Sequence, residues 1–251
     1  MAGHSKWKNI QHRKGRQDAI KGKMFAKLAK EIYVAAKAGD PDPANNQRLR
    51  LAISKAKQNN MPNDNIDRAI KKAAGSGADD QFESITYEGY GPGGIAVMVE
   101  CLTDNRNRSA ADVRHIFSKR GGNLGENGCV SYLFERKGYL LIDSVLSDEA
   151  EEELLLEALE MGAEDVESTE KGIEITSSPE EFEELREGLE AKGYTFAEAE
   201  VTLVPETKIM IEGEQLQAIF NLIDALEDHD DVQNVYTNFD ATEEEIAKVM
   251  E

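Results

Sequence analysis

The 251-residue chain carries 29 Lys and Arg against 49 Asp and Glu, a net charge of −20, and 40% of it is hydrophobic. This is the composition of an ordinary globular protein, long enough for one to three domains of about 100 to 200 residues each. Apolar runs such as Ile95 to Val99 are far too short to cross a bilayer, which takes about 20 residues, and the polar, cationic residues after Met1 argue against export.

Charge is divided unevenly along the chain. Residues 1–80 hold 17 Lys or Arg against 8 Asp or Glu, whereas residues 81–251 hold 12 against 41. A concentrated cationic surface on an otherwise acidic chain points to a polyphosphate partner for that part alone. The first thirty residues are the extreme case, with nine Lys or Arg against the single acid Asp18.

Residues 1–20 lack any apolar period and set Trp7, His4 and His12 among cations. They read as an arm that orders on its target, the aromatic stacking on an unpaired base while the cations follow phosphate. Then come three helices. Phe25, Leu28, Ala29, Ile32 and Ala36 recur at helical spacing, as do Leu49, Ala52, Ile53 and Ala56 after AGDPDP, and Ile66, Ala69, Ile70 and Ala73 after Met61-Pro62. Each has an inward apolar face with lysines and arginines beside it, the pattern of a small bundle. GSGADD at 75–80 reads as a linker.

Beyond the linker, FESITYEG and GGIAVMVECLT read as strands around GYGPGG. That glycine-rich run lacks a Lys-Ser/Thr ending and does not open a helix, so it is a hairpin turn rather than a phosphate loop. TDNRNRSAAD opens a helix from about Ser109 to Arg120, with Ser109 and Asp112 placed as a capping box and Arg106 and Arg108 near its start, where they can grip an anion. A strand CVSYLFER follows. From Tyr139 the order is strand YLLID, helix Asp148 to Met161, strands AEDVEST and GIEIT, helix Pro179 to Leu189, and strand YTFAEAEVTLV, the β-α-β-β-α-β order of a ferredoxin-like fold. From Gly138 to Pro205 there are three cations against twenty-one acids. This lobe repels nucleic acid and is suited to docking a protein partner or to solubility. A helix with Leu216, Ile219, Phe220, Ile223 and Leu226 on one face and a strand VQNVYTNF close the chain.

The pattern therefore predicts an α+β fold in three domains. These are residues 1–80, a basic arm plus a three-helix bundle; residues 81–136 with 206–251, a discontinuous middle domain; and residues 137–205, an acidic ferredoxin-like domain inserted in it, both mixed domains being of ferredoxin-like type. The expected nucleic-acid contacts are Lys6, Trp7, Lys8, His12, Arg13, Lys14, Arg16, Lys21, Lys23 and Lys27, with Arg106 and Arg108 as a second patch.

No catalytic or metal constellation is evident, and no cofactor is expected. His4, His12, His115 and His229 are scattered without ligand spacing, and Asp104 with His115 is a weak acid–base pair on a helix face. Cys101 and Cys129 lack CxxC spacing and are expected as buried, reduced thiols of a cytoplasmic protein.

Three stretches, MAGHSKWKNIQHRKGRQDAIKGKMFAKLAKEI, ITYEGYGPGGIAVMVECLTDNRNRSAADVRHIFSKRGGNLGENGCVSYLF and DDVQNVYTN, resemble the YebC/PmpR family over nearly the whole chain. The resemblance implies a three-domain cytoplasmic protein without catalytic chemistry, of bacterial type, with a mitochondrial member that activates translation of a cytochrome oxidase subunit. It implies either a DNA-binding transcriptional regulator or a ribosome-associated factor that helps elongation through proline-rich stretches. The residues leave both open. AGDPDP does not look like a helix-turn-helix turn, which weighs against sequence-specific duplex reading, while a flexible aromatic arm on a basic bundle suits structured RNA.

Overall fold

In the computed structural model, residues 17–75, 82–144, 146–169 and 172–250 are described, with side chains from Lys21 to Val249 within those ranges. By compactness the chain divides into two units, Met1–Leu133 with Thr207–Glu251, and Phe134–Glu206. Both mix helices with largely antiparallel sheet. Among the described residues no helix is long and apolar enough to cross a membrane.

The first unit opens with three helices, α1 (Gln17–Ala38), α2 (Gln47–Gln58) and α3 (Asn63–Gly75). Leu28, Ile32, Ala35 and Ala36 of α1 bury against Leu49, Ala52 and Ala56 of α2 and Ile66, Ala69 and Ala73 of α3. The helical period seen in the sequence is thus the packing face, each buried Leu or Ile contributing about 1.5–3 kcal/mol. The turn before α2 is held by its own side chains. Asn46 caps α2 by accepting from Leu49 N (3.0 Å) and donates to the carbonyls of Ala35 (2.9 Å) and Asp40 (2.8 Å), so one buried amide closes the loop.

The same unit continues into β1 (Glu83–Tyr90), β2 (Ala96–Thr103), α4 (Arg106–Lys119) and β3 (Asn123–Leu124). After the second unit it resumes with β8 (Ile209–Met210), α7 (Gly213–Glu227), β9 (Val232–Thr237), β10 (Phe239–Asp240) and α8 (Glu243–Met250). The sheet order is β3-β1-β2-β9, all antiparallel, and β8 and β10 form a separate parallel pair. Val97, Val99, Cys101 and Val235 lie in one core with Val113 and Phe117 of α4, a row of α7 apolar residues from Leu216 to Leu226, and Ile246 of α8. GYGPGG is the β1–β2 turn, with Gly93 (φ +74) and Gly94 (φ +73) supplying the left-handed backbone it needs.

The second unit runs β4 (Phe134–Ile142), α5 (Asp148–Glu160), β5 (Ala163–Thr169), β6 (Gly172–Ser177), α6 (Phe182–Ala191) and β7 (Glu198–Pro205). Its sheet order is β5-β6-β4-β7, antiparallel throughout. Leu140, Ile142, Ile173 and Ile175 share a core with Leu154, Ala158, Phe182, Leu185 and Leu189 of the two helices.

Several local expectations are corrected. CVSYLFER and YLLID are not separate strands: residues 134–142 form one strand, and Ser131–Leu133 is a 3-10 turn. The reason is Glu88, whose carboxylate takes the N–H groups of Gly128, Val130 and Ser131 and so withdraws that stretch from any ladder. The final strand of the acidic unit begins at Glu198, not at Tyr194. Ser109 and Asp112 do not cap α4. Asn105 does, accepting from Arg108 N at 3.1 Å, because the buried Ser109 hydroxyl is engaged by Thr103 and Asp231. Cys129 is only half-buried, unlike Cys101.

Candidate nucleic-acid interface

Of the expected contacts, Lys6, Trp7, Lys8, His12, Arg13, Lys14 and Arg16 lie outside the described residues. Lys21, near the start of α1, is exposed. Lys23 and Lys27 are engaged within the molecule: Lys23 pairs with Asp228, and Lys27 donates to the carbonyl of Glu227. Burial pushes the Lys27 pKa down, against the upward pull of Glu227, Asp230 and Asp228. A phosphate would have to displace these partners, more at part-buried Lys27 than at half-exposed Lys23, whose pair with Asp228 lies at the surface. Arg106 is exposed at the start of α4, its carbonyl accepting from the Tyr87 hydroxyl at 3.4 Å.

Arg108 is also engaged. Its guanidinium meets Asp104 and Asp231, each at 2.9 Å. Asp231 is 4% exposed, and it also accepts from Lys30 (2.9 Å), Ser109 (2.8 Å) and Thr103 (3.2 Å). Burial alone would raise the pKa of this carboxyl. The hydrogen bonds from Arg108, Lys30 and Ser109 outweigh burial and hold it well below the usual carboxylate range. His229 extends the network, its Nδ1 accepting from Asp231 N (3.1 Å) and its Nε2 facing Asp112 (3.2 Å). The arrangement ties α1 to β2, α4 and the turn after α7. Asp104 is held by Arg108, and His115 stands exposed on α4.

Sequence reasoning missed this junction, although a signal was present. Lys23, Lys27 and Lys30 stand at i, i+4 and i+7, one stripe of α1, and the acidic run EDHDD at 227–231 is its complement. Exposed cations of the bundle include Lys21, Arg48, Lys57, Arg68 and Lys71. Lys72 is exposed as well, with its ammonium 5.6 Å from the centre of the Tyr33 ring. Arg68, Lys71 and Lys72 share one side of α3. On α4, Arg114 and Lys119 are exposed with His115, as is Arg120 just past its end.

The far end of the sheet is built around Glu88, which is 7% exposed. It accepts main-chain hydrogen bonds from Gly128 (2.8 Å), Val130 (2.9 Å) and Ser131 (2.8 Å). Burial pushes its pKa up, but those backbone donors prevail and the net shift is downward. The loop they shape carries Tyr132, which is 67% exposed beside Tyr90 at 38%.

Two family models cover nearly all of this architecture. One described as the TACO1/YebC protein N-terminal domain matches residues 5–76, and one described as the TACO1/YebC second and third domain matches residues 82–239. The chain belongs to the TACO1/YebC family. A probable transcriptional regulatory protein of Geobacillus kaustophilus is 61% identical over 96% of this chain and 98% of its own length. The probable transcriptional regulatory protein YrbC of Bacillus subtilis is 58% identical over 95% of this chain and 99% of its own. The crystal structure of a conserved hypothetical protein from Aquifex aeolicus superimposes with a TM-score of 0.77 at 51% identity, covering 90% of this chain and 92% of that one. The names borne by the relatives are those of regulators rather than enzymes.

Proposed function

We propose that this chain is a non-enzymatic, cytoplasmic regulator of gene expression that binds nucleic acid, in the first instance duplex DNA as a transcriptional regulator. The observation that carries the reading is the cationic surface of residues 1–80: Lys21, Arg48, Lys57, Arg68 and Lys71 stay exposed on the bundle even though Lys27 and Lys30 turn inward to a carbonyl and an acid and Lys23 pairs with Asp228. Lys6, Trp7, Lys8, His12, Arg13, Lys14 and Arg16 of the arm complete the contact set, with Arg106 at the second patch. In this reading the chain has three functional parts, arm with bundle, middle domain, and an inserted ferredoxin-like lobe. The lobe's twenty-one acids keep polyphosphate away from it and leave it free to meet protein partners. The names of the relatives support the regulatory role.

One observation weighs against helix-turn-helix docking in a major groove, which the second reading, structured RNA on the ribosome, does not require. The turn between α1 and α2 exposes Asp40 and Asp42, whose carboxylates accept from Asp42 N (2.8 Å) and Ala44 N (2.9 Å). A helix-turn-helix brings its helices against the phosphates that flank a major groove, and two aspartates beside that turn oppose such an approach. Binding of the full chain and of a Lys14→Glu/Arg16→Glu variant to mixed-sequence duplex DNA and to ribosomes, at about 0.15 M salt, separates the readings. Duplex binding lost in the variant supports the DNA reading. Ribosome binding lost in the variant, with duplex ignored, supports the RNA reading. Equal binding of variant and parent contradicts both.

A further inference from the structure

We propose that the outer face of α5, in the acidic second unit, docks a basic amphipathic helix of a partner protein. The inference gives the lobe of the reading above a surface and a kind of partner; it rests on the lobe's role in meeting protein and not on nucleic-acid binding. α5 buries one stripe, Leu154 and Ala158, in the core of its own unit. It leaves three further leucines outside: Leu155 is 38% exposed, Leu156 63% and Leu159 46%. Leu155 and Leu159 are one turn apart and Leu156 lies three residues before Leu159, so the three form one patch on the helix surface. Among the described residues no other helix leaves more than one large apolar side chain exposed. Leucines exposed singly are ordinary, whereas contiguous ones within a polar rim mark a surface that a partner covers.

The rim indicates which partner. Glu152 and Glu160 stand one turn before and one turn after Leu156, and both are exposed, as is Glu149 nearer the start of the helix. The first-turn acids Asp148, Glu149 and Glu151 have a local role at the positive end of the helix, and Glu151 also accepts from the Ser168 hydroxyl at 2.7 Å. Glu160 has no such role. It sits in the last turn, where the helix dipole disfavours an acid, and α5 has no base there to offset it. The cations of α6 and its end are engaged elsewhere: Lys192 holds Glu157, and Arg186 holds Glu183 and Glu190 of its own helix.

An apolar patch in an acidic rim is complementary to leucines set among lysines or arginines. A second copy laid on the same face fits poorly, because a twofold contact brings two glutamate rims together, and nucleic acid is repelled by the same charges. A helix fits better than an extended chain. Side chains at i, i+3 and i+4 form ridges that interleave with those of a facing helix, whereas an extended peptide adds to a sheet edge.

The test uses the full-length protein and fluorescence anisotropy at about 0.15 M salt, with three labelled peptides of about 18 residues. The first carries leucine at helical spacing on one face and lysine on the other. The second keeps the lysines and has alanine for leucine, which measures attraction to the acidic chain in general; the third keeps the leucines and has glutamate for lysine. The parent is expected to bind the first peptide about tenfold more tightly than either of the others. Leu156→Gln/Leu159→Gln should lose about tenfold on that peptide, and Glu152→Gln/Glu160→Gln should lose affinity too, by a margin that shrinks as salt is raised. All four side chains are exposed, so both variants should unfold at the parent's temperature. Equal binding of the first and second peptides, or a leucine variant that binds like the parent, would leave charge alone and overturn the docking face. Failure of the parent to bind the first peptide would overturn it as well. So would a dimer of the parent, seen in sedimentation, that Leu156→Gln/Leu159→Gln dissolves, since a second copy would then be the occupant. Affinity for a mixed-sequence duplex, measured alongside, should be the same in parent and variants; its absence in all three would contradict the nucleic-acid reading and leave the docking face standing.

Discussion

Asp231 and Glu88 are both nearly buried carboxylates of the same unit, and they are satisfied by opposite means. Asp231 is held by side chains, the ammonium of Lys30, the guanidinium of Arg108 and two hydroxyls. Glu88 is held chiefly by backbone N–H groups. The first arrangement joins elements far apart in sequence, and its strength depends on charges that substitution or acid can remove. The second shapes one loop and involves no cation. A buried acid satisfied by cations marks a junction; one satisfied by main chain marks a surface loop held in a fixed form.

Removing the partner that both cations share should be the most damaging change. Asp231→Ala strands the largely buried Lys30 and leaves Arg108 only its pairing with Asp104, and is expected to cost about 3 kcal/mol, read by denaturant unfolding; a loss under about 1 kcal/mol would mean that the junction adds nothing beyond a surface pair. The pH dependence has a definite sign. Because the folded pKa of Asp231 is depressed, its contribution is fully present above the unfolded value of about 3.9 and fades as pH falls below it. The gap between parent and Asp231→Ala should therefore narrow in acid, and a gap that widened would contradict the assignment.

Glu88→Ala comes next. It leaves three backbone donors without their charged acceptor, an expected cost of about 2 kcal/mol. Hydrogen exchange sharpens the contrast with the junction: amides 128, 130 and 131 should lose protection in Glu88→Ala and keep it in Asp231→Ala. Lys27→Met keeps the buried stem and removes a charge already disfavoured by burial, so its stability should lie within about 1 kcal/mol of the parent. Smallest of all is Lys23→Ala. Its pairing with Asp228 is between half-exposed and exposed side chains, and the change should be about 0.5 kcal/mol or less.

Much of the frame was legible in the sequence. The helical period of Leu28, Ile32 and Ala36 marked a packing face, and GYGPGG announced its hairpin because positive φ selects glycine. The order of elements after Tyr139 followed from alternating periods of two and 3.6. What one sequence does not display is which distant groups meet. Lys23, Lys27 and Lys30 look like any cationic helix face until EDHDD is brought beside them. Glu88 looks like the polar residue of an alternating strand, although its carboxylate decides where the next strand begins. Charge counted along the chain therefore overstated the cations available to a partner, since internal pairing is a matter of three-dimensional proximity. Arg106 and Arg108, two residues apart, show the limit most plainly: both are exposed, yet Arg108 is bound to two aspartates.

We propose that the cations of the arm and the exposed ones of the bundle meet a polyphosphate, while Lys23 and Lys27 are taken up by partners within the molecule. Salt dependence of nucleic-acid affinity, measured for the parent, Lys14→Glu/Arg16→Glu and Lys23→Ala/Lys27→Met, tests this division of labour. The arm variant should bind more weakly, with a shallower slope of log affinity against log salt, by about 0.9 for each duplex phosphate no longer neutralised or about 0.7 for each single-strand phosphate. The Lys23/Lys27 variant should keep the parent's slope. A slope that fell in the second variant and not in the first would contradict the division.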